Sequence, residues 1–199
     1  MKILLLADEP EPMLWEHLDR RRLEGIDLIL SCGDLPASYL SFLTCFVRVP
    51  ILYVHGNHDD RYEIKPPEGC DCIDDMLYVH KGVRILGLGG CMRYKPGTNQ
   101  YTEEQMEKRV SRLWWKLWRS KGFDILLTHA PAFEIGDDKD LCHRGFQVFR
   151  DLMDRNHPAV MAHGHVHKSY TANFIRERKY GETRVINAFG SFVIEIPDK

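Results

Sequence analysis

An α/β fold that opens on a largely parallel sheet is what the sequence predicts, on three observations. Short apolar runs alternate with helix-patterned segments through the first half of the chain, as strand–helix–strand units do. Five apolar runs end abruptly in chemically strong polar residues: Asp8, Asp34, Asn57-His58, His129 and His163-Gly164-His165-Val166-His167. Later segments pair short runs through tight turns, which adds antiparallel strands.

Taken in order, Ile3 to Ala7 reads as a first strand running into Asp8. Pro12 to Leu23 reads as a helix, with Leu14 and Leu18 on one face and Gly25 as its stop. Leu28 to Ser31 is a strand ending in Cys32-Gly33-Asp34, and a helix is expected around Ala37 to Phe46. Ile51 to Val54 is the next buried strand, and Gly56 turns the backbone sharply into Asn57-His58-Asp59. Leu77 to His80 and Val83 to Leu88 pair antiparallel through Lys81-Gly82. Thr102 to Lys121 is the strongest helix: Thr102 and Gln105 fit a capping box, Glu103 and Glu104 suit the positive dipole end, and Gly122 ends it. Met106, Val110, Leu113, Trp114, Leu117 and Trp118 recur on one face, which reads as a core stripe rather than a cofactor or membrane surface. Ile125 to Thr128 and Ala159 to Ala162 are further strands, with a helix from about Gly145 to Arg155 between them. Thr183 to Asn187 and Ser191 to Ile196 alternate as two last strands, read as a second antiparallel patch.

At 199 residues the chain supports one domain with a sizeable core, and no linker or repeat divides it. Its 27 Lys and Arg against 29 Asp and Glu give no global field for nucleic acid or an anionic membrane, so neither is an expected partner. No apolar run reaches the length of a membrane span, and the apolar start stops at Asp8 without a cleavage site, which points to the cytoplasm. The 6 cysteines are scattered and read as reduced thiols; Cys70-Asp71-Cys72 lacks the spacing of a zinc knuckle.

Residues placed just beyond strand ends converge on one rim, where open α/β sheets bind ligands. Here they are carboxylates, an amide oxygen and imidazoles with no thiolate, a set suited to Mn²⁺, Fe²⁺, Zn²⁺ or Mg²⁺. Two such ions can share a bridging carboxylate, and Asp34 after its glycine is suited to that role. His165 and His167, two apart in an extended segment, would share one face. Arg93, Tyr94 and Lys95 form a basic loop that is either solvated or reaches phosphate, with Arg93 the bidentate candidate. His143-Arg144 either lines the entrance or caps the following helix, and His17, His80 and His157 read as ordinary helix or loop histidines.

Asp8-Glu9-Pro10, Gly33-Asp34, Gly56-Asn57-His58-Asp59, His129 and Gly164-His165-Val166-His167 together resemble the signature of the calcineurin-like metallophosphoesterases. The resemblance implies a four-layer αββα sandwich of two mixed sheets flanked by helices, with the site where the sheets meet. It implies two divalent metal ions, Mn²⁺ first, with Fe, Zn, Ni or Mg as alternatives. Asp34 would bridge them, Asn57, His129 and His165 would complete one site, and Asp8 and His167 would belong to the other. His58 would steady the phosphoryl group with Asn57 and protonate the leaving oxygen, with Asp59 holding its imidazole. The implied reaction is hydrolysis of a phosphodiester or phosphomonoester by in-line attack of a metal-bound hydroxide on a small phosphorylated molecule.

One position departs from the pattern. Where the first motif has histidine, this chain has Pro10, which removes a ligand and leaves the first metal site weakened or empty unless Glu9 or Glu11 substitutes. A non-catalytic scaffold of the same fold is therefore the alternative reading, and a homo-oligomer is allowed without being indicated.

Overall fold

The computed structural model describes residues 1–167 and 174–197. Strand β1 (Lys2–Ala7) sets the layering through its alternation. Ile3, Leu5 and Ala7 enter one apolar cluster, while Leu4 and Leu6 enter a second on the opposite face. Burial on both faces places β1 between two packed layers. It pairs in parallel with β2 (Leu28–Ser31) on one side. Helix α1 (Ala37–Thr44) follows, then β3 (Ile51–Tyr53) and the short β4 (Asp71–Cys72).

The second half builds another sheet. Strands β5 (Met76–His80) and β6 (Val83–Leu88) form the expected hairpin, with His80 opposite Val83 and positive φ at both Lys81 and Gly82. A two-residue ribbon, β7 (Cys91–Met92) with β8 (Gln100–Tyr101), gathers the loop between them. Helices α2 (Glu103–Arg112) and α3 (Trp114–Ser120) lead to β9 (Ile125–Thr128). Helix α4 (Gln147–Asn156), β10 (Val160–His163), β11 (Glu177–Tyr180), β12 (Thr183–Asn187) and β13 (Gly190–Glu195) complete the order.

The sheets run β13-β1-β2-β3-β4 and β11-β12-β10-β9-β6-β5, both mixed. Three clusters lie between four layers. Leu5, Leu30, Leu52, Ile85, Leu127 and Ala162 fill the space between the sheets. Leu86, Leu126, Met106 and Phe149 join the second sheet to α2 and α4, and Leu6, Ile29, Tyr39 and Leu40 join the first sheet to α1. Each large side chain buried this way contributes about 1.5–3 kcal/mol, so the layering is set by apolar alternation. This is the expected four-layer arrangement. No described helix is long and apolar enough to cross a membrane.

Four expectations need correction. The Pro12 to Leu23 helix is two 3₁₀ turns, Pro12–Leu14 and Arg20–Leu23. Asp19 adopts an extended conformation and caps the second turn by accepting from the Arg21 N–H, which stops any helix crossing it. The Thr102 to Lys121 helix has its capping box but breaks at Leu113 (φ −95°, ψ −6°) into α2 and α3. The tryptophan stripe is not core: Trp114, Trp115 and Trp118 are 62%, 52% and 67% exposed, while Met106 and Leu113 alone are fully turned inward. The last two strands do not pair with each other; β12 lies beside β10, and β13 crosses to pair antiparallel with β1.

Candidate metal centre

Both sheets deliver their strand ends to one place. Asp8 follows β1, Asp34 follows β2 and Asn57 follows β3, all in the first sheet; His129 follows β9 and His165 follows β10 in the second. The rim is thus shared between two sheets, as the resemblance implied, rather than formed by one. Asp8, Asp34 and His165 all have positive φ (66°, 58° and 70°). Left-handed backbone at a non-glycine residue costs about 1–3 kcal/mol and turns each side chain abruptly off its strand.

The turns interlock tightly. A Cβ on Gly33 would lie 2.3 Å from the Gly56 nitrogen, and one on Gly56 would lie 2.0 Å from Asp34 Oδ1. Only glycine lets these two turns touch. The Asp34 carboxylate then accepts from the His58 backbone N–H at 2.7 Å.

The ligand atoms crowd together. His129 is fully buried; its Nδ1 lies 2.7 Å from the Cys32 carbonyl, and its Nε2 lies 3.0 Å from Asn57 Oδ1 and 3.3 Å from Asp34 Oδ2. With Nδ1–H donated to that carbonyl, Nε2 of a neutral ring presents a lone pair to two acceptor oxygens. Such a cluster needs a positive charge at its centre, supplied by a proton or a cation. Burial opposes charging of His129, yet the Asp34 carboxylate overrides it and raises the imidazole to about 9. Burial likewise pushes Asp34 up, but His129 and the His58 contacts outweigh it and hold the carboxyl well below its usual range.

His165 completes the set: ligand atoms of Asp34, His129 and His165 all lie within 4.8 Å of one another. Its ring packs edge-on to His129 at 4.8 Å, and Nε2 donates to the Cys142 carbonyl at 2.7 Å. Burial pushes its pKa down to about 3, so the ring is neutral and offers the other nitrogen as a ligand. Asp8 and His167 lie against each other, with His167 Nε2 at 3.5 Å from Asp8 Oδ1. The Asp8 carboxylate, fully buried, also accepts from the His165 backbone N–H at 2.9 and 3.1 Å. It raises the His167 pKa by hydrogen bonding, with Glu9 adding charge. These donors fit divalent cations of the kind the sequence suggested.

Two expected contacts are made differently. Asp59 does not turn to the His58 imidazole; its Oδ2 accepts from the backbone N–H groups of Asp34 (2.8 Å) and Gly56 (2.7 Å). Arg93 is exposed and donates to the Gln100 carbonyl at 3.1 and 3.3 Å, while its neighbour Tyr94 presents its hydroxyl to Asn57 Nδ2 at 3.5 Å. His163 is buried beside the centre with Nδ1 on the Gly164 carbonyl, and burial lowers its pKa to about 4. His58 itself is exposed at the mouth.

Several contributors carried no sequence signal. Carbonyls such as those of Cys32 and Cys142 exist at every residue, so their contacts are visible only in the fold. A cavity of about 950 Å³ opens beside the centre, lined by Asp8, Asp34 and His58 and by the exposed Arg61 and Lys65. Those two cations lie just outside the motif, so no spacing signals them.

Two mixed sheets meeting over a cluster of carboxylates and imidazoles define a metallophosphoesterase-type protein. The sequence matches the calcineurin-like phosphoesterase family over residues 7–169, and the chain belongs to that family. Its members are phosphoester hydrolases, typically dependent on two metal ions. One similar solved structure superposes with a TM-score of 0.69 at 14% identity, covering 97% of this chain and 94% of its own. The crystal structure of TT1561 of Thermus thermophilus superposes at 0.65 with 18% identity, covering 95% and 89%. A comparison with curated proteins found no match.

Proposed function

We propose that the chain is a metal-dependent phosphoesterase acting on a small phosphodiester or phosphomonoester. The observation that carries this reading is the acceptor cluster around His129 Nε2, with Asn57 Oδ1 at 3.0 Å and Asp34 Oδ2 at 3.3 Å. Asp34 would be the shared ligand, with Asn57, His129 and His165 on one ion and Asp8 and His167 on the other. Divalent ions, Mn²⁺ first, would supply Lewis-acid charge and an acidified water.

The chain's own groups supply the remainder. The Asp34–His58 backbone bond fixes the turn on which His58 stands at the cavity mouth. From there its imidazole would donate a proton to the leaving oxygen, and the Asn57 amide would help hold the phosphoryl oxygens. At about 950 Å³ the cavity suits a small molecule rather than a phosphoprotein. Arg61 and Lys65 in its lining would attract an anionic substrate. For the ligand missing at Pro10, Glu9 is the better substitute: its charge acts on His167, whereas Glu11 accepts from Ser191 Oγ at 3.0 Å.

Pro10 favours one rival, a scaffold that binds without turnover. Hydrolysis of bis(4-nitrophenyl) phosphate by protein reconstituted with Mn²⁺, compared with His58→Ala, separates the two. Metal-dependent turnover that collapses in the variant supports the enzyme. Folded protein inert with every divalent ion supports the scaffold.

A further inference from the structure

Helix α3 presents a surface that the metal centre does not use. Trp114, Trp115 and Trp118 stand exposed on it as one patch, Trp115 stacked on Trp118 at 4.9 Å and edge-on to Trp114 at 5.6 Å. Three of the chain's 4 tryptophans are spent here, and so much apolar surface in one place marks an interaction site.

The segment that carries the patch is basic, while Glu107 and Asp151 are the acids lining the groove beside Trp114 and Trp118. From Lys108 to Lys121 the sequence carries Lys108, Arg109, Arg112, Lys116, Arg119 and Lys121 without a single acid, in a chain of net charge −2. Lys108 pairs with Glu104, and the buried Arg109 pairs with Asp75. Arg112, Lys116, Arg119 and Lys121 are exposed, and no ion pair engages them among the described residues. Lys116 and Arg119 sit one turn apart, so the cations flank the indoles along the helix.

The helix is held firmly. Arg84, at the start of β6, donates to the carbonyls of Ser120 (2.6 Å) and Lys121 (2.9 Å) while forming an ion pair with Asp124 at 2.6 Å. These anchors lie near the beginnings of β6 and β9, whereas the metal ligands follow the ends of their strands. The patch therefore belongs to the opposite end of the sheets.

We propose that this face docks on an anionic lipid bilayer, with α3 lying in the interfacial plane. Indoles combine an apolar body with one N–H donor and settle at headgroup depth, and flanking Lys and Arg reach the lipid phosphates. Charge complementarity selects this occupant. A second copy related by a twofold axis would press two sets of unpaired cations together, whereas an anionic bilayer neutralises them. The near-neutral charge of the whole chain hid this segment, because its cations are offset by acids elsewhere.

The test is co-sedimentation of the full chain with vesicles of phosphatidylcholine alone or mixed with phosphatidylglycerol, in EDTA so that no divalent ion bridges protein to lipid. Tryptophan emission is recorded in parallel, and its blue shift reports the patch. Binding to the anionic vesicles is expected, weakening about tenfold in high salt, with a blue shift. Trp115→Ser/Trp118→Ser and Lys116→Glu/Arg119→Glu, both on exposed positions and checked for folding by circular dichroism, should each lose it. Sedimentation with neither vesicle overturns the proposal, as does equal binding by the variants. Lipid-independent self-association that buries the same tryptophans overturns it in favour of a protein partner.

Discussion

Asp59 holds Asp34 by its backbone. One carboxylate oxygen of Asp59 accepts from the Asp34 N–H at 2.8 Å and from the Gly56 N–H at 2.7 Å, joining the turns after β2 and β3. Asp59 is only 4% exposed, so no water replaces it readily. Asp59→Ala leaves two N–H donors without their acceptor and should cost about 1–3 kcal/mol in urea unfolding. It should also loosen metal binding, whereas His58→Ala should lower turnover without a comparable stability loss.

Gly56→Ala tests the same contact sterically. The new Cβ would fall 2.0 Å from Asp34 Oδ1 and 2.5 Å from its Cγ. Neither turn can yield without moving Asp34, a candidate ligand. Calorimetric titration with Mn²⁺ should show affinity falling by about tenfold or more, even where circular dichroism shows a folded protein.

His129→Gln removes the nitrogen that Asp34 and Asn57 surround. Metal affinity should fall by about tenfold or more in the same titration. In the metal-free protein the variant also removes the proton that relieves this cluster, so Asp34 loses its main stabilising partner. The Asp34 carboxyl should then titrate at higher pH, followed by NMR of labelled aspartate.

His55 gives a pH dependence. Burial disfavours its charged form, but the Asp74 carboxylate at 2.6 Å, helped by Cys72, raises its pKa from 6.5 to about 10. A raised folded pKa means that protonated His55 stabilises the fold below the unfolded value of 6.5. That contribution is lost as the pH climbs from there through about 10. The stability gap between wild type and His55→Gln should therefore be largest near pH 6 and shrink steadily above it, measured by denaturant midpoints.

Arg61→Ala and Lys65→Ala should raise KM for anionic phosphoesters several-fold while leaving kcat nearly unchanged, because both are exposed cations of the cavity lining and not candidate metal ligands. Steady-state kinetics with the Mn²⁺-loaded protein decide it. A fall in kcat alone would place them in the reaction itself.

The centre was legible because its residues stand directly after apolar runs, and strand ends are where a sheet presents side chains to a crevice. What periodicity could not supply was direction. Met106 and Trp118 share one spacing pattern, yet Met106 is buried and Trp118 is 67% exposed, because the break at Leu113 turns the tryptophans outward while Leu117 still packs on the core. Strand β11 carries no sequence signal, since Glu177, Arg178 and Lys179 are all exposed along an edge with no apolar alternation. The Asp59 contacts escaped because a carboxylate beside a histidine suggests an imidazole partner, while backbone N–H groups 3 and 25 residues away do not announce themselves.

The pairing of β1 with β13 has a consequence for biosynthesis. Ala7 and Gly190 face each other across 183 positions, so β1 leaves the ribosome long before the partner that covers its edge. Until then Ile3, Leu4, Leu5 and Leu6 present one unpaired strand edge to the surroundings of the ribosome. Nascent chains stalled before β13 emerges should therefore be chaperone clients, held back by an edge that only the closing strand can cover.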